Sequence, residues 1–460
     1  MSSSSNDSDN NLEQMERVQT FHGDSSADMI PLDKYPTAHL DFREAVATPV
    51  LQKFIKVLVI IGVIFMFLIT VIMCYSYGNF HHATSRIHRV RILAVDFDEG
   101  IVGAAMLAGY ESAKGKSFPT FIIKNSTDYT PELVFHEVFK GHYWGAIYTA
   151  HNASENLLAA LSNSSLAATY DADTAIYYVW NQAHYTSVSN SVVESMLSAM
   201  GDITREVLIA MQGSDLYSKY LSDSPSLEQL EVFATPVGTT ALNILKTTQL
   251  GAFLYNTIGM VIIMLIMFFF MIATNGVAVE FKIYARYSKL VSYCSRLGFA
   301  FVFAFLYSLL ATGTIWWFRE GWGVNGNQFV LTWLVYYLMM IVNFIFFDNI
   351  ACFFPPLFFP VFVLCWIIMN VMSCILPQPL APKFYHWTYA LPAFNGYNLV
   401  SSIWARGASP VAYRALPILF GWLIILWPIN IYGHHKRCRL ARSAADASDQ
   451  HTKEIMRETV

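Results

Sequence analysis

The sequence predicts an α-helical polytopic membrane protein of about six transmembrane helices, with an α/β extracytoplasmic domain between helices 1 and 2. Three observations carry that prediction. Phe54 to Tyr77 form an apolar run without a charge after Lys56, residues 78–249 are mixed sequence of domain size, and apolar runs recur from Leu250 onward with short polar breaks. Roughly twenty apolar residues are enough to cross the hydrocarbon core of a bilayer. Composition agrees: 55% of residues are hydrophobic, 13% are charged and mean hydropathy is +0.39, whereas a soluble domain carries about a quarter charged residues. The net charge of −4 says little about partners, and no nucleic acid is expected among them.

Residues 1–40 are rich in Ser, Asn, Asp and Glu and bury too little apolar surface to offset the entropy of ordering, so they read as a disordered cytoplasmic tail. The first transmembrane helix, 54–77, is too long for a signal-peptide core and reads as a retained anchor. Within 78–249, Arg91–Phe97, Thr120–Lys124, Tyr143–Thr149 and Ala175–Trp180 look like strands. Helical patterns at Ile101–Ala113, Pro131–Phe139 and Glu155–Leu161 separate them, which predicts an α/β layer with right-handed crossovers. Val188, Val192, Met196, Met200, Ile203, Val207 and Met211 then recur at helical spacing, the mark of a long amphipathic helix leading back toward the membrane. A bundle of five transmembrane helices is expected over 250–432, with spans near Leu250–Ala273, Leu297–Phe318, Phe329–Phe347, Leu357–Ile375 and Ala415–Ile431. Residues 433–460 read as a basic cytoplasmic tail.

Orientation follows from Lys and Arg in short loops. Lys282, Arg286, Lys289 and Arg296 lie between the second and third spans, and Lys436, Arg437, Arg439 and Arg442 follow the last. Both sets predict cytoplasmic ends and two cytoplasmic termini. Arg86, Arg89 and Arg91 oppose this reading, but a segment as long as 78–249 translocates largely regardless of charge. Sequons at Asn125, Asn152 and Asn163 all fall within that segment and make these three asparagines the glycosylation candidates.

Few motifs point to catalysis. Gly115, Lys116 and Ser117 resemble the end of a phosphate-binding loop, but Tyr110 occupies the position that needs glycine, so no ATPase is encoded. His136 and His142 are six apart with Gly141 between them, which does not place two imidazoles on one helical face for zinc. Asp96 and Asp98 end the first strand where one phosphatase class keeps a nucleophile, yet Gly100 departs from that pattern and strand-end carboxylates also serve as caps. No metal, cofactor or enzymatic activity is expected. The six cysteines offer the large polar segment no disulfide framework, and Cys438 beside the membrane is a candidate for palmitoylation or a free thiol. The spans are almost free of titratable groups; Asp348 is the nearest and is expected at the interface, so autonomous proton-driven antiport is disfavoured.

Two stretches break the helical pattern. Pro355, Pro356 and Pro360 mark a turn into the fifth span. Residues 377–407 are too polar to span but are crowded with aromatics, which predicts a re-entrant hairpin dipping into the outer leaflet. Tyr385, Trp387, Pro392, Asn395 and Tyr397 are its gate or hairpin candidates; lipid contact is the plainer role for such side chains.

The motifs FREAVATPVLQKFIK, VDFDEG, YWGAIYT and FYHWTYALPAFNGYN together resemble the fungal nitrosoguanidine-resistance membrane proteins, over nearly everything after Asp41. That family is in turn similar to phage-infection proteins and type-2 ABC exporter permeases, which place an outer domain after the first span and a hairpin before the last. The resemblance implies a plasma-membrane glycoprotein, permease-like, that contributes to resistance to toxic compounds, with export as its mode. The alternative is a non-transporting adaptor or regulator with a ligand-binding outer domain or a lipid-handling scaffold. Expected partners are membrane lipids, a separate ATPase or other membrane protein, and a second copy of the chain.

Overall fold

The long apolar run folds as α1, Pro49–Phe80, whose 32 residues extend about 48 Å at 1.5 Å per residue and exceed the hydrocarbon thickness. The computed structural model describes residues 49–221, 224–246, 254–255, 257–319 and 323–458. The acidic head expected to be disordered, and the start of the second apolar run at Leu250, lie outside the described residues. Most of α1 presents exposed apolar side chains, among them Phe54, Val59, Met66 and Phe67. Its far end is held by polar bonds: Tyr75 Oη donates to the Met369 carbonyl at 3.5 Å and Asn79 Nδ2 to that of Met372 at 3.2 Å.

The domain that follows is built on strands β1, Arg91–Asp96; β2, Thr120–Lys124; β3, Gly145–Thr149; β4, Ile176–Trp180; and β5, Thr239–Asn243. They form one sheet in the order β2-β1-β3-β4-β5. Pairing is parallel except between β3 and β4, so the sheet is mixed where right-handed crossovers alone had been expected. Alternation along β1 explains how two layers are served. Ile92 and Ala94 face the core that holds Val102 and Met106 of α2, Ile101–Ala113, while Leu93 and Val95 face Val134 and Val138 of α3, Pro131–Phe139. α4, Ala153–Ser162, adds Leu157 and Leu161 to the first of these layers. The expected strands and helices agree with these bounds to within two residues. β5 went unread because its TTALN sequence is polar, and as an edge strand it buries little.

The long helix differs from its predicted stripe. Ser189–Glu194 is a π-helical segment, and α5, Ser195–Asp215, follows it directly. A π turn inserts a residue and rotates everything beyond it. The buried line therefore runs Val193, Leu197, Met200, Thr204 and Leu208, while Val192, Met196, Ile203 and Val207 are half-buried and Met211 is exposed. α5 packs along α2, with Gly109 next to Ile203. The chain continues through α6, Leu227–Ala234, and β5.

The longer helices that follow are α7, Ile258–Glu280; α8, Lys289–Trp317; α9, Gly326–Phe353; α10, Phe359–Ile375; α11, Pro392–Trp404; and α12, Ala412–Glu458. Among the described residues five helices are long and apolar enough to cross a membrane: α1, α7, α8, α9 and α12, while α10 is a shorter apolar helix of 17 residues. α9 is the central member, burying Tyr336, Met339, Met340, Phe344 and Phe347. The proline cluster does interrupt the chain between α9 and α10, as a 3-10 turn over Pro356–Phe358. The stretch expected as a tail at 433–460 continues the last helix without a break to Glu458.

Candidate functional site

The hairpin region is a 3-10 turn, Lys383–Ala390, followed by α11, which opens on Pro392 where a missing amide costs nothing. α11 is buried along almost its whole length among α9, α10 and α12. Several of its polar groups are served from within the protein, while Asn395 Oδ1 is buried without a partner among the described residues. Asn395 Nδ2 donates to the Tyr389 and Leu391 carbonyls at 2.8 and 2.9 Å, and Asn370 Oδ1 accepts the Ala393 amide at 3.1 Å. The five candidates do not converge on one spot. Tyr385 is buried and its Oη donates to the Tyr75 carbonyl at 2.7 Å, beside Gly78, where a Cβ would meet that hydroxyl at 2.5 Å. Trp387 is half exposed and lies 6.1 Å from the Tyr75 ring. These two hold α1. Tyr397, on α11, packs edge-on against Tyr185 of the sheet domain at 5.3 Å.

That last contact belongs to a junction which the sequence did not disclose. Asn398 Nδ2 donates to Tyr185 Oη at 3.2 Å, and Ser401 Oγ donates to the Ala183 carbonyl at 2.8 Å. Nearby, the Ser409 amide donates to the Phe139 carbonyl at 2.8 Å, so the chain entering α12 is fastened to the end of α3. Gly141, at φ 76°, makes that approach possible; a Cβ there would meet Ser409 Oγ at 2.8 Å. A cavity of about 60 Å³ lies between them, lined by Trp144, Asn181, His184, Ser189 and Ser409 among others. Burial pushes the His184 imidazole down to about 4, so it is neutral at physiological pH, and pushes the Tyr185 hydroxyl well up. The junction is aromatic, amide-rich and uncharged.

The opposite end of the bundle is built from charges. Asp348 lies near the end of α9 and is 1% exposed, buried among protein groups. Its Oδ1 accepts from Arg296 of α8 at 2.8 Å and from Arg437 of α12 at 3.0 Å, and its Oδ2 accepts from Asn430 at 2.9 Å. Both guanidiniums lie over the Tyr284 ring, at 5.5 and 5.4 Å. Arg437 also donates to Cys352 Sγ at 2.9 Å. Two cations on one anion leave one positive charge uncompensated. Beside this cluster, His434 Nε2 meets Ser292 Oγ at 2.8 Å and Cys438 Sγ at 3.3 Å, with all three side chains buried. Cys438 is 0% exposed, which removes it as a surface for acylation. Sequence reasoning assigned Arg296 to a loop and Arg437 to a tail. The available signal was spacing: Asn430, His434, Arg437, Cys438 and Ala441 share one face of a continuous helix.

The strand-end carboxylates are occupied by the backbone. Asp96 Oδ1 accepts from Thr149 Oγ1 at 2.7 Å and from the amides of Asp98 and Glu99 at 3.1 Å each. Asp98 accepts the Ser154 amide at 2.7 Å, capping the start of α4, together with the Ser154 hydroxyl. Asn125, Asn152 and Asn163 are all exposed, and Asn163 Oδ1 also caps a short helix by accepting the Ser165 amide at 2.9 Å. His142 Nδ1 pairs with Glu137 at 2.8 Å on the surface. Among the described residues no group of three or more His, Cys, Asp or Glu is placed to hold a metal.

No curated protein and no solved structure matches the chain. One family model does, that of the protein of unknown function DUF3533, over residues 61–428, from within α1 to the middle of α12. Because the match takes in the sheet domain, α11 and most of the bundle, this chain belongs to the DUF3533 family.

Proposed function

We propose that this chain is a permease-like integral membrane protein that contributes to resistance to toxic compounds by exporting them. In this reading α10 is a sixth crossing helix, the sheet domain is extracytoplasmic and glycosylated, both termini are cytoplasmic, and the membrane is the fungal plasma membrane. The resemblance to nitrosoguanidine-resistance proteins supports the class. The observation that carries the mechanism is the junction at Tyr185, Asn398 and Ser401, because it ties the sheet domain to a broken, buried segment inside the bundle. Non-helical breaks at membrane depth are tolerated where they are buried in protein or line a path. A domain bonded to such a segment is able to move it. Export driven by ATP requires a separate nucleotide-binding partner, since the connections between α7 and α8 and between α9 and α10 are too short to contain one.

The test is the accumulation of a labelled toxicant in deletion and overexpression cells. Export predicts lower accumulation on overexpression; unchanged accumulation with altered survival would reject it. One observation favours the second reading, a non-transporting adaptor or regulator: Asp348 is bonded on both oxygens within the protein. Purification in native lipid separates the two readings. A co-purifying ATPase supports export, and a trafficking or lipid-handling protein supports the adaptor.

A further inference from the structure

Arg86, Arg89 and Arg91 follow the first span directly and are the cations that oppose the orientation read from the other loops. The structure divides them by role. Arg86 is 9% exposed and donates through Nε to the Leu380 carbonyl at 2.5 Å, with Nη2 on that of Asn79 at 3.5 Å. It fastens the 3-10 turn Thr84–Arg89 to the hairpin. Arg89 and Arg91 are exposed and line, with His88, Thr120 and Ile122, a groove of about 340 Å³ between that turn and β2, the edge strand of the sheet.

None of the groove's lining residues is acidic. Arg89 makes one long bond, from Nη1 to the Ala381 carbonyl at 3.5 Å, and among the described residues the Arg91 guanidinium has no protein partner. Two guanidiniums on one wall present forked donors suited to a phosphate, and Ile122 supplies an apolar face. The surroundings point to the source of that phosphate. The groove adjoins the end of α1, where Tyr77 and Phe80 are exposed, and the bonds of Arg86 and Arg89 bring it to the hairpin that exposes Phe384 and Trp387. Aromatics of this kind settle at the headgroup layer.

We propose that this groove binds the headgroup of an anionic phospholipid, with Arg89 and Arg91 on the phosphate and the acyl chains lying along α1. This goes beyond the export reading and stands whether or not the chain transports anything. A soluble anion would use the same two cations but gain nothing from the apolar rim.

The test uses the full chain in nanodiscs of phosphatidylcholine with a minor share of phosphatidylglycerol, and native mass spectrometry of the lipids retained on extraction. R89Q/R91Q is expected to lower retained phosphatidylglycerol about thirtyfold, the scale of two cations near a charged lipid, and to leave phosphatidylcholine unchanged. K140Q, an exposed cation beyond the end of α3, is expected to change neither. Equal phosphatidylglycerol retention by wild type and R89Q/R91Q would overturn the proposal. So would displacement of the lipid by millimolar inorganic phosphate, which would assign the groove to a soluble anion. If the double variant does not fold, R91Q alone is read by the same criteria, since the Arg91 guanidinium bonds to no protein group among the described residues.

Discussion

The two ends of the bundle are held by opposite kinds of chemistry. At the sheet-domain end, Tyr185, Tyr397, Asn398 and Ser401 meet through neutral hydrogen bonds and ring contacts. At the other, Asp348, Arg296 and Arg437 meet as buried charges drawn from three helices. Each neutral bond contributes about 1 kcal/mol and can be broken without stranding a charge, so such an end can part and re-form. A buried ion cluster is far costlier to open, because each partner left behind is a charge in a poorly polarisable site. The comparison assigns the movable contact to the domain end and the fixed one to the charged end.

The largest effect should come from Asp348→Ala. It leaves Arg296 and Arg437 buried without their anion, at a cost of about 3–5 kcal/mol. The expected outcome is loss of folded protein, measured as the monodisperse fraction in detergent. Replacing Asp348 and Arg296 together by Leu should recover part of that loss, since one cation then remains in place of two. If Asp348→Ala alone folds with wild-type stability, the charged end is not the fixed one.

A middle-sized effect is expected at the junction. Ser401→Ala and Tyr185→Phe each remove one hydrogen bond, for about 1 kcal/mol apiece. The bonds are separate, Ser401 to the Ala183 carbonyl and Asn398 to Tyr185 Oη, but they fasten the same loop. A double-mutant cycle on thermal unfolding should therefore show coupling above about 0.5 kcal/mol. Strict additivity would mean that the loop is held elsewhere. Under the export reading, the pair should also raise toxicant accumulation more than either single variant.

How far the two ends were legible differs for a physical reason. Apolar period and turn residues are local, so α2, α3 and β2 were readable to the residue, and α1 was evident from its run of Val, Ile, Phe and Leu. Pairing across the bundle is not local. Arg296 reads as the last charge of a loop, and only packing shows it seven residues inside α8, turned toward Asp348. The junction was half legible: Tyr397 stood out in an aromatic stretch, but Tyr185 lay between the fourth strand and the stripe that begins at Val188, where no element was read, and the π segment at Ser189–Glu194 leaves no periodic trace. Carboxylates that close a strand, Asp96 and Asp98, were readable as caps because part of their bonding is to amides a few residues away, those of Asp98 and Gly103, whereas the bond of Asp98 to the Ser154 amide at the start of α4 is not local.

The smallest effect sharpens the comparison through pH. Burial holds His184 neutral, with its folded value near 4 against an ordinary 6.5, so the unfolded or undocked chain binds the extra proton first. The stability it contributes is therefore fully present above about 6.5 and is lost as pH falls from there toward 4. The charged end has no such group among its Asp348 partners, since two arginines and an asparagine do not titrate in this range. Hydrogen exchange followed between pH 7 and pH 5, corrected for intrinsic rates and carried out in His434→Gln so that the buried imidazole beside the Asp348 cluster does not titrate, should show protection falling first around Ala183–Ser189 and the start of α12, with the charged end unchanged. His184→Gln should flatten the difference. Equal loss of protection at both ends would mean that the neutral junction does not open ahead of the ionic one.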